Sequence, residues 1–92
     1  MIRSFRCPDT QAIYEGQRSR RFAGIQRIIE RKLQMLDDAA ELQDLLAPPG
    51  NRLEALKGDR KGQHSIRVND QYRICFRWTP TGPVDVELID YH

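Results

Sequence analysis

The stretch HSIRVNDQYRICFRW, residues 64–78, decides the fold, because apolar and polar residues alternate along both of its halves. Alternation with a period of two is typical of β-strands that bury one face. The apolar set consists of Ile66, Val68, Tyr72, Ile74, Phe76 and Trp78. These residues share one face only if an odd number of residues connects the two halves. We therefore predict a β-hairpin with residues 69–71 as its loop and Val68 opposite Tyr72.

The predicted register places Arg67 directly opposite Arg73 on the other face of this hairpin. Like charges that face one another across a sheet destabilise it by roughly 0.2–1 kcal/mol. A bound phosphate would neutralise the pair, because guanidinium groups bind phosphate through two hydrogen bonds. A solvated basic patch with the two arginines spread apart explains the same pattern. The sequence alone leaves both interpretations open.

A second alternating segment, VDVELI at residues 84–89, follows the hairpin and predicts a further strand. If TPTGP at residues 79–83 is the whole loop, Trp78 lies opposite Val84 and Arg77 lies opposite Asp85. This arrangement keeps the apolar residues of all three strands on one face. We therefore predict an antiparallel meander that continues towards the DYH sequence at residues 90–92.

The residues upstream have a helical period. In RRFAGIQRIIERKLQMLDD, residues 20–38, apolar residues recur at steps of three and four. They are Phe22, Ile25, Ile29, Leu33 and Leu36. This spacing predicts one α-helix with an apolar face in the core. A shorter helix is predicted in PDTQAIYEG, between Pro8 and Gly16, because proline and aspartate favour a helix start and glycine a stop.

Three local patterns complete the predicted fold. MIRSF at residues 1–5 is compatible with an edge strand. Asp38 followed by Glu41 resembles a capping box that opens a second short helix, and PPG at residues 48–50 ends it. We expect residues 1–92 to form a single α+β domain, with two or three helices packed on a mainly antiparallel sheet of four or five strands.

Composition excludes several classes of protein. The net charge is only +2, with 39% hydrophobic and 30% charged residues, and no apolar run approaches the roughly 20 residues that span a bilayer. The first ten residues lack the apolar core of a secretory signal, so we expect a cytoplasmic protein with no membrane partner. Cys7 and Cys75 have no ligand-like spacing, and we predict reduced thiols, no metal site and no cofactor.

The charges are zoned along the chain. Residues 1–36 sum to +5, residues 37–59 to −4 and residues 60–92 to +1. A basic zone suits a polyanionic partner and an acidic zone suits a charged protein partner, although solvated helices produce the same pattern. The acidic segment 37–59 is a candidate docking zone for a protein.

The strand half of the chain collects the candidate catalytic groups. They are Glu54, Lys57, Arg67, Arg73, Asp90, Tyr91 and His92. Together they contain what metal-free RNA cleavage requires: a base for the ribose 2′-hydroxyl, cations for the phosphorane, an acid for the leaving oxygen and an aromatic ring for a base. Each residue also has a structural explanation, such as a solvated surface charge for Glu54 and Lys57 or an ion pair for Asp90.

The sequence resembles the HigB-type toxins of the RelE/ParE superfamily. The resemblance rests on NRLEALKGDRKGQHSIRVNDQYRICFRW at residues 51–78 and VELIDYH at residues 86–92, and it extends over essentially the whole chain. It implies a compact fold of helices on an antiparallel sheet. It also implies metal-free cleavage of messenger RNA in the ribosomal A site through attack by the 2′-hydroxyl.

The resemblance implies partners and site residues as well. The partners are the 70S ribosome with its mRNA and a HigA-type helix-turn-helix antitoxin, through which alone the pair binds operator DNA. Lys57, Arg67 or Arg73, Asp90, Tyr91 and His92 match positions implicated in the family's active site. Some members carry a histidine three residues before the lysine, where this chain has Glu54, so the general base is Glu54, Asp90 or His92.

The basic residues then form a predicted grip on ribosomal RNA, or alternatively a solvated face. They are Arg18, Arg20, Arg21, Arg27, Arg31, Lys32, Arg60 and Lys61. Two other functions stay as alternatives. A ParE-like inhibitor of DNA gyrase uses the same fold without RNA chemistry, and a non-catalytic RNA-binding module would tolerate the change at Glu54.

Overall fold

The computed structural model describes residues 1–91. Two α-helices precede a four-stranded antiparallel sheet in which each strand pairs with its neighbour in sequence. The helices are α1 (Pro8–Tyr14) and α2 (Gln26–Asp38), and the strands are β1 (Glu54–Ala55), β2 (His64–Arg67), β3 (Tyr72–Thr79) and β4 (Gly82–Asp90). Short 3-10 turns occupy Ala23–Ile25, Leu42–Leu46, Pro49–Asn51 and Gly58–Arg60. The predicted α+β architecture is confirmed.

The β2–β3 hairpin has the predicted register. Arg67 lies opposite Arg73, and the backbone N–H of Val68 donates to the carbonyl of Tyr72 over 3.0 Å. The side chain of Asn69 accepts from the backbone N–H of Tyr72 over 2.8 Å, which fixes the loop. The core face of the sheet therefore carries the alternating apolar residues, as parity requires.

The predicted register of the β3–β4 hairpin is wrong at its outer end. Thr79 pairs with Gly82, so the turn is tighter than the predicted five-residue loop, and Arg77 pairs with Val84 rather than with Asp85. A β-bulge between Cys75 and Arg77 then takes up one extra residue on β4. Asp85 has a φ of 54°, as a bulged position allows. The inner half consequently returns to the predicted pairing.

The N-terminal segment follows β4 without forming a full strand. Phe5 makes one isolated parallel bridge with Val86, whose backbone N–H donates to the Ser4 carbonyl over 3.1 Å. The expected edge strand is therefore reduced to a single bridge. It supplies backbone partners to β4, which stabilises the strand that carries Asp90.

Helix α2 buries the predicted apolar face against the sheet. Phe22, Ile29, Leu33 and Leu36 are buried in one cluster with Ile66, Ile74, Phe76 and Val86. The helix begins at Gln26, later than the start of the apolar pattern, so Arg20 and Arg21 precede it. The helices thus cover one face of the sheet, and residues 52–63 lie over the other face, where Arg52 and Arg60 contact β3 and β4.

The predicted capping box is wrong in its position. Asp38 is the last residue of α2 rather than the cap of a new helix. The capping residues are Glu41 and Asp44, because the carboxylate of Asp44 accepts from the backbone N–H of Glu41 over 3.0 Å. The turn that follows, Leu42–Leu46, is a 3-10 turn.

Candidate active site on the second face of the sheet

A pocket of about 390 Å³ opens beside β1 and the residue that follows β4. Three of the predicted catalytic residues line it together, namely Glu54, Lys57 and Tyr91, and Arg60 completes its polar lining. Glu54 stands on β1, and Lys57 precedes the 3-10 turn Gly58–Arg60, which Gly58 enters with a φ of 64°. The order of the strands therefore brings together groups that lie 37 residues apart in sequence.

Tyr91 and Glu54 form the polar contact at the centre of this pocket. The phenol of Tyr91 donates to Oε1 of Glu54 over 3.2 Å. The backbone N–H of Tyr91 donates to the carbonyl of Gln71 over 2.7 Å, so β4 and the β2–β3 loop together hold the tyrosine. Partial burial and the hydrogen bond to the Glu54 carboxylate raise the pKa of Tyr91. The phenol is therefore protonated at neutral pH and acts as a donor.

Arg73 lies beneath the tyrosine rather than in the open pocket. Arg73 is 8% exposed, and its Nε donates to the hydroxyl of the buried Ser65 over 2.6 Å. Nη2 donates to the carbonyl of Arg52. The guanidinium carbon lies 5.5 Å from the centre of the Tyr91 ring, and Nη2 lies 3.9 Å from Oε2 of Glu54. Arg73 therefore interacts electrostatically with the Tyr91 ring and the Glu54 carboxylate, although most of the Arg73 side chain is buried.

The opposed arginines have separate neutralising partners. Arg67 forms an ion pair with Asp70 in the hairpin loop, whereas Arg73 lies near Glu54 on β1. Carboxylates from two different segments thus relieve the repulsion that the register creates. Arg73 is buried, so the predicted solvated patch of two arginines is wrong for this residue, and Arg67 is absent from the pocket lining.

The remaining predicted catalytic residues lie at or beyond the end of β4. Asp90 accepts from the side-chain amide of Gln71 over 3.0 Å and pairs in the sheet with Tyr72. The prediction for His92 lies outside the described residues. The structure therefore places Asp90 on the loop side of Tyr91 and Glu54 on the pocket side.

Cys75 lies buried between these charged groups. It is fully buried in the middle of β3, and burial raises its pKa to about 11. The charges that act on its thiol belong to Arg60, Glu87, Arg73 and Glu54. One buried sulfur therefore lies among the cations and carboxylates of the site, and the thiol is protonated and inert at neutral pH.

The predicted RNA-contacting cations divide into three groups. Arg18, Arg20, Arg21, Arg27, Arg31 and Lys61 are exposed. Lys32 is half-buried and donates to the side chain of Asn51, and desolvation followed by the neighbouring Arg31 lowers its pKa. Arg60 is half-buried at the pocket, where Nη1 donates to Glu87 over 2.7 Å. The exposed group is available to a polyanion, whereas Arg60 belongs to the pocket.

Two contributors to this site escaped the sequence analysis. Ser65 and Glu87 hold the guanidinium groups of Arg73 and Arg60, respectively. Both residues share the strand face of Cys75, which they flank in the sheet. That shared parity was visible in the sequence, but the covering of this face by residues 52–63 was not. Within residues 1–91, no three His, Cys, Asp or Glu side chains lie close enough together to hold a metal ion.

The fold is that of the RelE-like toxins. It matches a chain in the YoeB–YefM complex from Staphylococcus aureus with a TM-score of 0.63 and 17% identity, over 100% of this chain and 98% of the other. A family model described as the RelE-like toxin of type II toxin–antitoxin system HigB matches residues 4–92. The chain belongs to this HigB-like family of type II toxins.

Relatives by sequence agree with the family assignment. Toxin HigB-1 of Vibrio cholerae serotype O1 is 46% identical over 70 residues, which cover 74% of each chain. An uncharacterized protein of Haemophilus influenzae is 36% identical over 56 residues, covering 61% of this chain and 55% of the relative. Among residues 1–91, no helix combines the length and apolar character needed to cross a bilayer.

Proposed function

We propose that this toxin is a ribosome-dependent endoribonuclease that cuts messenger RNA in the ribosomal A site and so inhibits translation. The observation that carries the proposal is the pocket in which Glu54, Lys57 and Tyr91 converge above the buried Arg73. A carboxylate, an ammonium group and a phenol supported by a guanidinium supply the proton acceptor, the cation and the aromatic surface that RNA cleavage needs. Membership of the HigB-like family supports the same activity.

In the proposed reaction the substrate provides its own nucleophile. Glu54 accepts the proton of a ribose 2′-hydroxyl, and the 2′-oxygen forms a bond to the adjacent phosphorus. The bond from phosphorus to the 5′-oxygen breaks, and that oxygen takes up a proton. We propose Lys57 as the donor of this proton, in addition to its predicted role in stabilising the phosphorane. The products are a 2′,3′-cyclic phosphate and a 5′-hydroxyl. No group outside the chain and the RNA is needed for this balance, and we propose no cofactor.

Tyr91 orients the reacting nucleotide. The residue is 46% exposed and its ring lies 5.5 Å from the Arg73 guanidinium carbon, and we propose that a base stacks on this ring. Its phenol keeps the Glu54 carboxylate in a fixed direction through the 3.2 Å hydrogen bond. Asp90 and His92 keep their predicted roles as the competing base and an assisting group. Arg67, which is bonded to Asp70, then serves as a contact for the RNA backbone.

The exposed arginines supply the proposed contact with ribosomal RNA. Arg18, Arg20 and Arg21 lie in the connection between the helices, and Arg27 and Arg31 lie on α2. Phosphate contacts of this kind make affinity strongly dependent on salt. The ribosome then positions the mRNA, and the pocket contributes the chemistry. We propose that the protein acts in the cytoplasm, where it would meet translating ribosomes.

We further propose that a HigA-type helix-turn-helix antitoxin binds and inhibits this chain. The solved chain with the same fold is part of a complex, YoeB–YefM, which supports a protein partner. Binding to operator DNA would occur through the antitoxin. The acidic segment 37–59 is the proposed docking zone, because carboxylates outnumber cations within it.

The test is a primer-extension map of a reporter mRNA incubated with translating ribosomes and the protein. Glu54→Gln removes the proposed base at constant size, and it should lower the cleavage rate about 10²–10⁴-fold. Arg77→Gln is the matched control, because Arg77 is exposed and lies outside the pocket lining. Ribosome-dependent cuts in A-site codons support the proposal. Arrested translation with intact mRNA would indicate an RNA-binding module. DNA damage signalling in cells that express the protein would indicate a gyrase inhibitor.

A further inference from the structure

We infer that Arg60 contacts the scissile phosphate of the RNA and is a further catalytic residue of this site. The inference rests on the proposed function and deepens it. It assigns the stabilisation of the phosphorane to a guanidinium in the open pocket, since the guanidinium of Arg73 is buried.

The position of Arg60 is the first support. The residue lines the same pocket as Glu54, Lys57 and Tyr91. Its guanidinium lies within electrostatic range of Tyr91 and of the Cys75 thiol. A phosphate bound in this pocket, beside the proposed base and the tyrosine, therefore lies next to Arg60.

The use of its hydrogen-bond donors is the second support. Within residues 1–91, the bonds from the Arg60 side chain leave only from Nη1, which donates to Glu87 over 2.7 Å and to Gln63 over 3.1 Å. The edge formed by Nε and Nη2 remains available to two phosphate oxygens. In Arg73, by contrast, that same edge is occupied by Ser65 and the carbonyl of Arg52.

The anchoring of Arg60 is the third support. The Glu87 side chain is 16% exposed on β4, and it holds one end of the Arg60 guanidinium, in a side chain that is 34% exposed. A fixed donor costs little reorganisation when charge develops on the phosphorane, and removal of one such donor typically lowers a rate about 10²–10³-fold. Arg60 stays charged throughout the reaction, so it supplies electrostatic stabilisation while the proton steps belong to other groups.

A purely structural ion pair is the competing explanation, in which Arg60 only ties the 3-10 turn Gly58–Arg60 to the sheet. Arg60→Lys separates the two explanations. Lysine retains a positive charge for Glu87, but it cannot bind Glu87 at one end and two phosphate oxygens at the other. A structural role is therefore rescued by lysine, and a role in phosphate binding is not.

The experiment measures single-turnover cleavage on mRNA-programmed ribosomes at saturating protein, together with thermal unfolding. We expect Arg60→Lys to cut about 100-fold more slowly than the unsubstituted chain, with a melting temperature close to the original. Arg77→Lys is the matched control and should cut normally. Cleavage by Arg60→Lys within threefold of the unsubstituted rate would overturn the inference while leaving the proposed function intact. Absence of cleavage by the unsubstituted chain would overturn both.

A binding readout covers the case in which variants of Arg60 unfold. The side-chain Nε–Hε resonances of the unsubstituted protein are followed by NMR during titration with adenosine 3′-phosphate. We expect the resonance of Arg60 to shift in a saturable manner and that of Arg77 to stay in place. An unchanged Arg60 resonance, with shifts confined to other arginines, would contradict the inference independently of any cleavage assay.

Discussion

Arg73→Met should destabilise the fold strongly, although an arginine at this position of the proposed RNA-cleaving site invites a purely catalytic interpretation. Methionine retains the aliphatic volume of the side chain but removes every donor. The Ser65 hydroxyl, in a fully buried residue, loses the 2.6 Å bond from Nε, and the Arg52 carbonyl loses its bond from Nη2. Unsatisfied buried polar groups are costly to leave in a folded protein.

The magnitude follows from these bonds. Hydrogen bonds to charged groups contribute about 1.5–3 kcal/mol each, and an orphaned buried polar group costs a similar amount. Relief of the desolvation of the Arg73 guanidinium offsets part of that loss. We therefore expect the free energy of unfolding to fall by about 2–4 kcal/mol. For a domain of this size the melting temperature should fall by about 10–25 °C.

The assay is urea unfolding followed by the fluorescence of Trp78, the single tryptophan, and by circular dichroism. Arg77→Met is the matched control, since Arg77 is exposed and its Nε lies 3.9 Å from Asp85. An exposed pair of this kind contributes about 0–1 kcal/mol. A loss below about 0.5 kcal/mol for Arg73→Met would refute the structural role assigned to its hydrogen bonds.

Further predictions concern the tyrosine, the basic face and the thiols. Tyr91→Phe removes the hydrogen bond to the proposed base, and primer extension should show cleavage slowed about 10–100-fold; an unchanged rate would contradict its orienting role. The double variant Arg27→Gln and Arg31→Gln should reduce the logarithmic salt slope of ribosome binding by about 1.5–2, and an unchanged slope would remove α2 from the interface. In the native protein a thiol reagent should modify Cys7 alone, and two equal fast reactions would contradict the burial of Cys75. Because the folded state raises the pKa of Cys75 from 9.0 to about 11, the proton is bound more tightly in the folded state, and the free energy of unfolding should fall as pH rises between these values. Cys75→Ala should abolish that part of the fall.

The sheet shows what alternation can predict. Parity alone gave the β2–β3 register, because shifting the pairing by one residue would move Ile66 and Ile74 out of the core. The same reasoning failed beyond Cys75, because a β-bulge adds one residue that an alternating pattern does not count. The strand predicted at residues 1–5 is a single bridge for a related reason, since so short a segment determines strand pairing weakly.

The candidate site shows the corresponding limit for function. Residue chemistry and family resemblance selected Glu54, Lys57 and Tyr91, which the structure brings to one pocket. The sequence offered no way to rank Arg60 and Arg73 by accessibility. Alternation places Arg73 on the face away from the helices, but residues 52–63 cover that face, so Arg73 is buried while Arg60 borders the pocket. Tertiary covering of this kind depends on the irregular connection between α2 and β2.

The most direct test of the account is a comparison of two mRNAs that differ by one oxygen atom. One carries a ribose at the nucleotide preceding the mapped A-site cut, and the other carries a 2′-deoxyribose at that nucleotide. The account predicts ribosome-dependent cleavage of the first, with a 2′,3′-cyclic phosphate end, and no cleavage of the second at that bond. Equal cleavage of both mRNAs would contradict attack by the 2′-hydroxyl, and with it the role assigned to Glu54.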